Sequence, residues 1–185
     1  LNLALEAANI NPLETDLGEW ILQLSGQRPS HMVMPAIHMF KEEVAELFSK
    51  ETGQQEPADI KHLVEVARQQ LRQGYLDADM GISGANIAIA ETGGIALVTN
   101  EGNARLATTL PKTHVALIGI DKLVPTLEDA AKVIRVLPKN ATGQALTSYV
   151  TWIRGAVPCE EGEKDLHIVL LDNGRSRLAA DEHCC

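Results

Sequence analysis

The densest group of side chains able to do chemistry lies in residues 81–105, GISGANIAIAETGGIALVTNEGNAR. Asn86, Glu91, Thr92, Asn100, Glu101, Asn103 and Arg105 all fall inside it. Glu91 is a carboxylate suited to acid or base work. Arg105 carries a fixed charge that grips a carboxylate through two parallel N–H donors. Asn and Thr side chains add amide and hydroxyl groups beside that charge. Gly81, Ser83, Gly84 and Ala85 are small enough for backbone to approach a ligand or another strand. The same residues have a structural reading. Asn and Gly are common in turns, and Glu91 can simply pair with Arg105. Gly81 and Gly84 match neither a Walker loop nor a complete dinucleotide fingerprint.

Other polar groups are more scattered. Thr108, Thr109 and Lys112 lead to His114 at a strand entrance; His is the usual acid–base residue, but the sequence supplies it no partner. Thr142, Gly143, Gln144, Thr147 and Ser148 offer groups for an anion or for ending a helix. Asp172-Asn173-Gly174 reads as a turn, after which Arg175 and Arg177 reach an anion, an acidic surface or solvent. His31 and His38 have no metal-ligand spacing. No local signature of Ser-His-Asp or Cys-His catalysis is present.

The elements that must position these groups follow from periodicity. Residues 1–8 read as the end of a helix. Asp16 with Glu19 has capping-box spacing before Leu17, Trp20, Ile21 and Leu24, and Gly26 ends that helix. Residues 31–36 read as a short buried strand. Phe40, Val44, Leu47 and Phe48 form one helical stripe. Asp59 caps a helix burying Ile60, Leu63, Val64, Ala67 and Leu71. Strands are predicted at 87–90 and 95–99, joined tightly at Gly93-Gly94. A third, at 115–120, is apolar enough to be covered on both faces. Thr126 and Asp129 start a helix that Pro138 and Gly143 close. Strands at 149–153 and 167–171 flank a charged loop at 159–164. Helices alternating with strands predict an α/β fold, layered, with a mostly parallel sheet and helices on both faces. Residues 87–99 add an antiparallel element.

The bulk numbers agree. A chain of 185 residues is one domain of ordinary size. Aromatics are 3%, so aliphatic side chains must fill most of the core. The net charge of −9, with Lys and Arg scattered, disfavours nucleic acid and anionic membrane as partners. No apolar run is long enough to span a bilayer, and a cytoplasmic location is expected. The three cysteines, Cys159, Cys184 and Cys185, form no CxxC pair, and neither a disulfide framework nor a metal site is expected. The chain starts at Leu1 and ends at Cys184-Cys185, and both ends read as cut.

The run GANIAIAETGGIALVTNEGNARLATTLPKTHVALIGIDKLVPTLEDA resembles the lactate-utilisation protein B family, whose shared module is the LUD domain. ETDLGEWILQLSGQRPSHMVMPAIH, LPKNATGQALTSYV and LHIVLLDNGRSRLAAD extend the resemblance over nearly the whole chain. The resemblance implies a single LUD domain over 1–183, trimmed at its start, with 184–185 opening a ferredoxin-like region. It implies a fold similar to glucosamine-6-phosphate isomerase, ribose-5-phosphate isomerase and CoA transferases. It also implies [4Fe–4S] clusters in the full-length protein, none in this chain, and work with two other lactate-utilisation subunits in oxidising L-lactate to pyruvate. The family supplies no assigned substrate residues. The expected pocket is therefore the polar set above, with Arg105 holding a small carboxylate such as lactate or pyruvate and Glu91 as acid or base. Two alternatives stay open: a stand-alone transferase or isomerase acting on a phosphorylated or CoA-linked substrate, and a docking module without a ligand.

Overall fold

Residues up to Asp77 form helices alone, and strands begin at Met80. The computed structural model describes residues 1–99, 101–147, 149–155, 157–159 (backbone) and 162–182. It divides into two units, Leu1–Asp77 and Ala78–Cys185. Among the described residues no helix is long and apolar enough to cross a membrane.

The first unit comprises α1 (Asn2–Ala7), α2 (Leu17–Ser25), α3 (Lys41–Thr52) and α4 (Ile60–Asp77). Asp16 caps α2, its Oδ1 accepting from the N–H groups of Gly18 (2.9 Å) and Glu19 (3.3 Å). Gly26, at φ 67°, closes the helix in the left-handed conformation. Asp59 Oδ1 accepts from His62 N–H at 2.9 Å and starts α4. Trp20, Ile21, Val44, Ala45, Phe48, Leu63, Val66, Ala67 and Leu71 make one core. The rings of Trp20 and Phe48 lie 5.0 Å apart at 46°.

Two expectations for this unit are corrected. The buried stripe of α4 includes Val66 and leaves Ile60 and Val64 exposed, because the inward face is rotated toward the 63–66–67 positions. Residues 31–36 form turns in place of a buried strand, and Met32 is 98% exposed. His31 Nδ1 accepts from Val33 and Met34 N–H, and Ser30 N–H donates to the Pro35 carbonyl. Backbone groups satisfied locally in this way are not offered to a ladder.

The second unit holds β1 (Met80–Ser83), β2 (Ile87–Ile89), β3 (Gly94–Thr99), α5 (Asn103–Thr109), β4 (Thr113–Gly119), β5 (Leu123–Val124), α6 (Leu127–Thr142), β6 (Tyr149–Arg154), β7 (Val157–Cys159), β8 (Gly162–Leu171) and α7 (Arg175–Ala179). One sheet runs β1-β4-β8-β7, and its β1-β4-β8 part is parallel. The other runs β5-β2-β3-β6 around the antiparallel β2–β3 hairpin. This is the expected layered α/β fold with a parallel sheet, and antiparallel pairing extends beyond the expected β2–β3 hairpin to β3–β6 and β7–β8.

Alternation along the strands builds the layers. Ala88, Ile95 and Leu97 of the second sheet pack with Ala116 and Ile118 of the first, joined by Ala104, Leu166 and Ile168. Ile87, Ile89 and Ala96 face the other way, onto Ala130, Val124 and Ile134. Thr126 caps α6, accepting from Asp129 N–H at 3.1 Å.

Three details differ from the sequence reading. β4 is buried on alternate residues only, and Leu117 is 38% exposed, so one face of this strand is open. α6 continues through Pro138, which is buried, and stops at Gly143 (φ 71°). The expected loop at 159–164 is largely a β7–β8 hairpin, with Val157 opposite Lys164; residues 160 and 161 lie outside the described residues.

Candidate functional site

The β2–β3 hairpin decides which polar residues meet. Ile87 pairs with Ala96 and Ile89 with Gly94, so the turn holding Glu91 and Thr92 lies at one end. Asn86 and Thr99 lie at the other. The length of β3 separates the ends by about 17 Å at roughly 3.3 Å per residue step.

The expected common rim is therefore divided. At the turn, Glu91 N–H donates to the Pro125 carbonyl, and Thr92 Oγ1 accepts from Gly94 N–H at 3.2 Å. Glu91 is exposed there. It neither pairs with Arg105 nor reaches a group that Arg105 holds.

The opposite end gathers the rest. Asn86 Oδ1 accepts from Val98 N–H at 2.8 Å, and Asn86 N–H donates to the Ala96 carbonyl. Asn86 thus ties the start of β2 to β3. Thr99 pairs with Tyr149 of β6, and its Oγ1 is buried without a hydrogen-bond partner among the described residues. Asn100 lies outside the described residues. Glu101 is exposed, and Asn103, half-buried, opens α5.

Arg105 stands on the first turn of α5 with its guanidinium 4.5 Å from the Tyr149 ring centroid. A cation over an exposed ring gains about 0.5–1 kcal/mol and is restrained against the ring face. A guanidinium that lies flat on a ring keeps its N–H edge available to a planar anion. No carboxylate among the described residues forms an ion pair with Arg105. The sequence reading gave Tyr149 only as the start of a strand and not as part of the site. The β3–β6 register brings it there, and spacing along the chain carries no signal for it.

A second group joins β1 to β4. Gly81 of β1 pairs with His114 of β4, and Ser83 pairs with Ala116, so Ser83 and His114 face the same side. Ser83 Oγ and His114 Nε2 are 2.7 Å apart. His114 is 4% exposed, and its Nδ1 is buried with no partner among the described residues. Burial holds the imidazole below its ordinary pKa of 6.5, so the ring is neutral at neutral pH. The parallel register supplies the partner that the sequence could not give His114.

α5 lies against β1 because residue 81 is glycine. A Cβ there would meet the Ala107 carbonyl oxygen at 1.8 Å. At the carboxyl ends of β4 and β8, Arg175 Nε pairs with Asp121. The Lys122 hydrogen bond, with smaller contributions including Arg175, holds the Asp121 carboxyl below the usual carboxylate range. Asp172 accepts from Ser176 N–H (2.8 Å) and Oγ (2.7 Å), closing the predicted turn at the start of α7. Thr142 Oγ1 donates to the Pro138 carbonyl at the end of α6, a helix-ending role; Ser148 lies outside the described residues. His38 contacts Ser30 and Gln27 within the first unit.

An iron–sulfur cluster needs spaced groups of thiolates, four for a [4Fe–4S] centre. The chain has three cysteines, and no group of three His, Cys, Asp or Glu side chains among the described residues can hold a metal. These residues do not fit such a cluster.

Comparison with known proteins places this arrangement. Over 191 residues the chain is 47% identical to "Lactate utilization protein B" of Oceanobacillus iheyensis, matching 100% of this chain and 40% of that protein. It is 46% identical to the protein of the same name from Shouchella clausii, again over 100% of this chain and 40% of the relative. It is 43% identical to the "Uncharacterized electron transport protein YkgF" of Escherichia coli K12, over 98% and 39%. The chain thus spans about two fifths of the length of these relatives. A crystal structure of a duf162 family protein from Deinococcus radiodurans overlaps 52% of this chain and 55% of its own, with TM-score 0.39 and 24% identity. Residues 2–171 match the LUD domain, and the chain belongs to the LUD domain family.

Proposed function

We propose that this chain is the LUD part of a lactate-utilisation protein that works in the cytoplasm with two other subunits to oxidise L-lactate to pyruvate. Electrons leave through [4Fe–4S] clusters carried outside residues 1–185. The relatives named for lactate utilisation and electron transport support this reading. Within the chain, the role is to bind a small carboxylate at the end of β3.

The observation that carries the binding role is the Arg105 guanidinium 4.5 Å from the centre of the Tyr149 ring, with no carboxylate paired to it among the described residues. A fixed guanidinium with a free N–H edge suits lactate or pyruvate. Thr99, Glu101 and Asn103 precede it closely in the chain, and Thr99 pairs with Tyr149 across β3 and β6. Asn86 holds the strand beneath, and Glu91 and Thr92 lie outside this site.

The test is to express the full-length protein with its partner subunits and follow L-lactate-dependent reduction of a dye, alongside iron and sulfide analysis. The reading requires bound iron and sulfide in the full-length protein, and turnover that falls when Arg105→Ala is introduced. An iron-loaded complex that reduces no dye with L-lactate contradicts it.

A further inference from the structure

The Ser83–His114 pair is unused by the carboxylate reading. Its geometry is that of a nucleophile held by a base: a hydroxyl and an imidazole nitrogen 2.7 Å apart. The two ends of the pair differ in exposure. His114 is almost wholly buried, whereas Ser83 is half-buried. Ser83 is the last residue of β1 and sits level with Ala116, part-way along β4. Gly84 and Ala85 follow.

The orphaned nitrogen adds to the case. When Ser83 Oγ donates to Nε2, the neutral ring carries its proton on Nδ1. That N–H is buried and without a partner among the described residues, which is costly for stability. A purely structural hydrogen bond to Ser83 gives no return for that cost. A ring kept neutral and aimed at a hydroxyl is a base ready to accept its proton.

We infer that Ser83 is an activated serine, with His114 as its general base, able to take an acyl group from an ester or thioester. In the forward step Oγ attacks the carbonyl carbon, forming the new C–O bond as the bond to the leaving group breaks. The Oγ proton passes to Nε2 and then to the leaving alkoxide or thiolate. Water then cleaves the acyl-serine ester by the same proton route, releasing a carboxylic acid and restoring Ser83.

An alkyl fluorophosphonate probe tests this without knowledge of the natural acyl donor. Attack by Oγ forms a P–O bond, breaks P–F and releases HF. The 185-residue chain should gain one probe mass, mapped to Ser83 by peptide sequencing, and Ser83→Ala should abolish the adduct. His114→Gln should slow labelling by about 100-fold or more, the usual scale of general-base assistance. Circular dichroism and thermal melting keep the variants comparable. If His114→Gln unfolds, the adduct site in the unsubstituted chain decides: Ser83 supports the inference, and any other site overturns it. An unlabelled, folded chain after prolonged exposure also overturns it, as does labelling that a folded His114→Gln variant leaves unchanged.

Discussion

Substituting Gly81 by Ala tests whether α5 is held where the structure puts it. The new methyl carbon would stand 1.8 Å from the Ala107 carbonyl oxygen, 2.9 Å from its carbon and 3.3 Å from Pro111 Cγ. Two of these three atoms are backbone, so no rotamer change relieves the overlap. α5 must move outward by roughly 1.5 Å to regain an ordinary contact. Forced overpacking costs about 1–3 kcal/mol. The rigid obstacle places this case near 2 kcal/mol or above, partly offset by the lower chain entropy that Ala gives the unfolded state. For a unit of this size that is a fall of roughly 8–10 °C in the melting midpoint. Gly84→Ala is the matched control, because its methyl makes only an ordinary contact, with the Leu117 carbonyl oxygen at 3.8 Å; the change there should stay within about 0.5 kcal/mol. Thermal melting by circular dichroism reads both. A Gly81→Ala variant as stable as the control would refute the packing of α5 on β1, and with it the placement of Arg105.

Three further outcomes are expected. Phe48→Ala removes a fully buried ring tilted against Trp20 and should cost about 3–5 kcal/mol, read by urea unfolding with tryptophan fluorescence. Asn86→Ala leaves Val98 N–H without its acceptor and should cost about 1 kcal/mol by the same measurement. His114 has a folded-state pKa below 6.5, so the unfolded chain binds the extra proton first as pH falls. Its stabilising contribution is complete above the ordinary value of 6.5 and is lost as pH drops from there through the folded pKa. The urea midpoint should decline below pH 6.5, and His114→Gln should remove that part of the decline; an unchanged slope in the variant would count against a buried neutral ring.

Much of the fold was legible because it is local. Asp16, Asp59 and Thr126 cap the helices their spacing implied, and Gly93-Gly94 turns the hairpin where expected. The low aromatic content correctly placed aliphatic residues in the core between the two sheets, while the first unit centres on Trp20 and Phe48. What failed was non-local or depended on competing hydrogen bonds. Residues 31–36 look like a strand by composition, but His31 and Ser30 satisfy the segment's backbone within a turn. Gly143 ends α6 as expected, whereas Pro138, also read as closing it, sits inside the helix.

The candidate site follows the same division. Glu91 and Arg105 are close in sequence and share a polar run, but an antiparallel hairpin sends them to opposite ends. Tyr149 and His114 join their partners through strand register, which depends on pairings distant along the chain. Arg105 was visible as a lone fixed charge in a polar loop; the ring beneath it was not.

Calorimetric titration of the 185-residue chain with pyruvate and with L-lactate, beside an Arg105→Ala variant, tests the carboxylate site most directly. The account predicts saturable binding of at least one of them to the unsubstituted chain. It predicts weakening by about 10- to 100-fold in the variant, the scale of losing about 1.5–3 kcal/mol of charged hydrogen bonding. Binding of equal strength in both proteins, or heat of dilution alone in the unsubstituted chain, would contradict it.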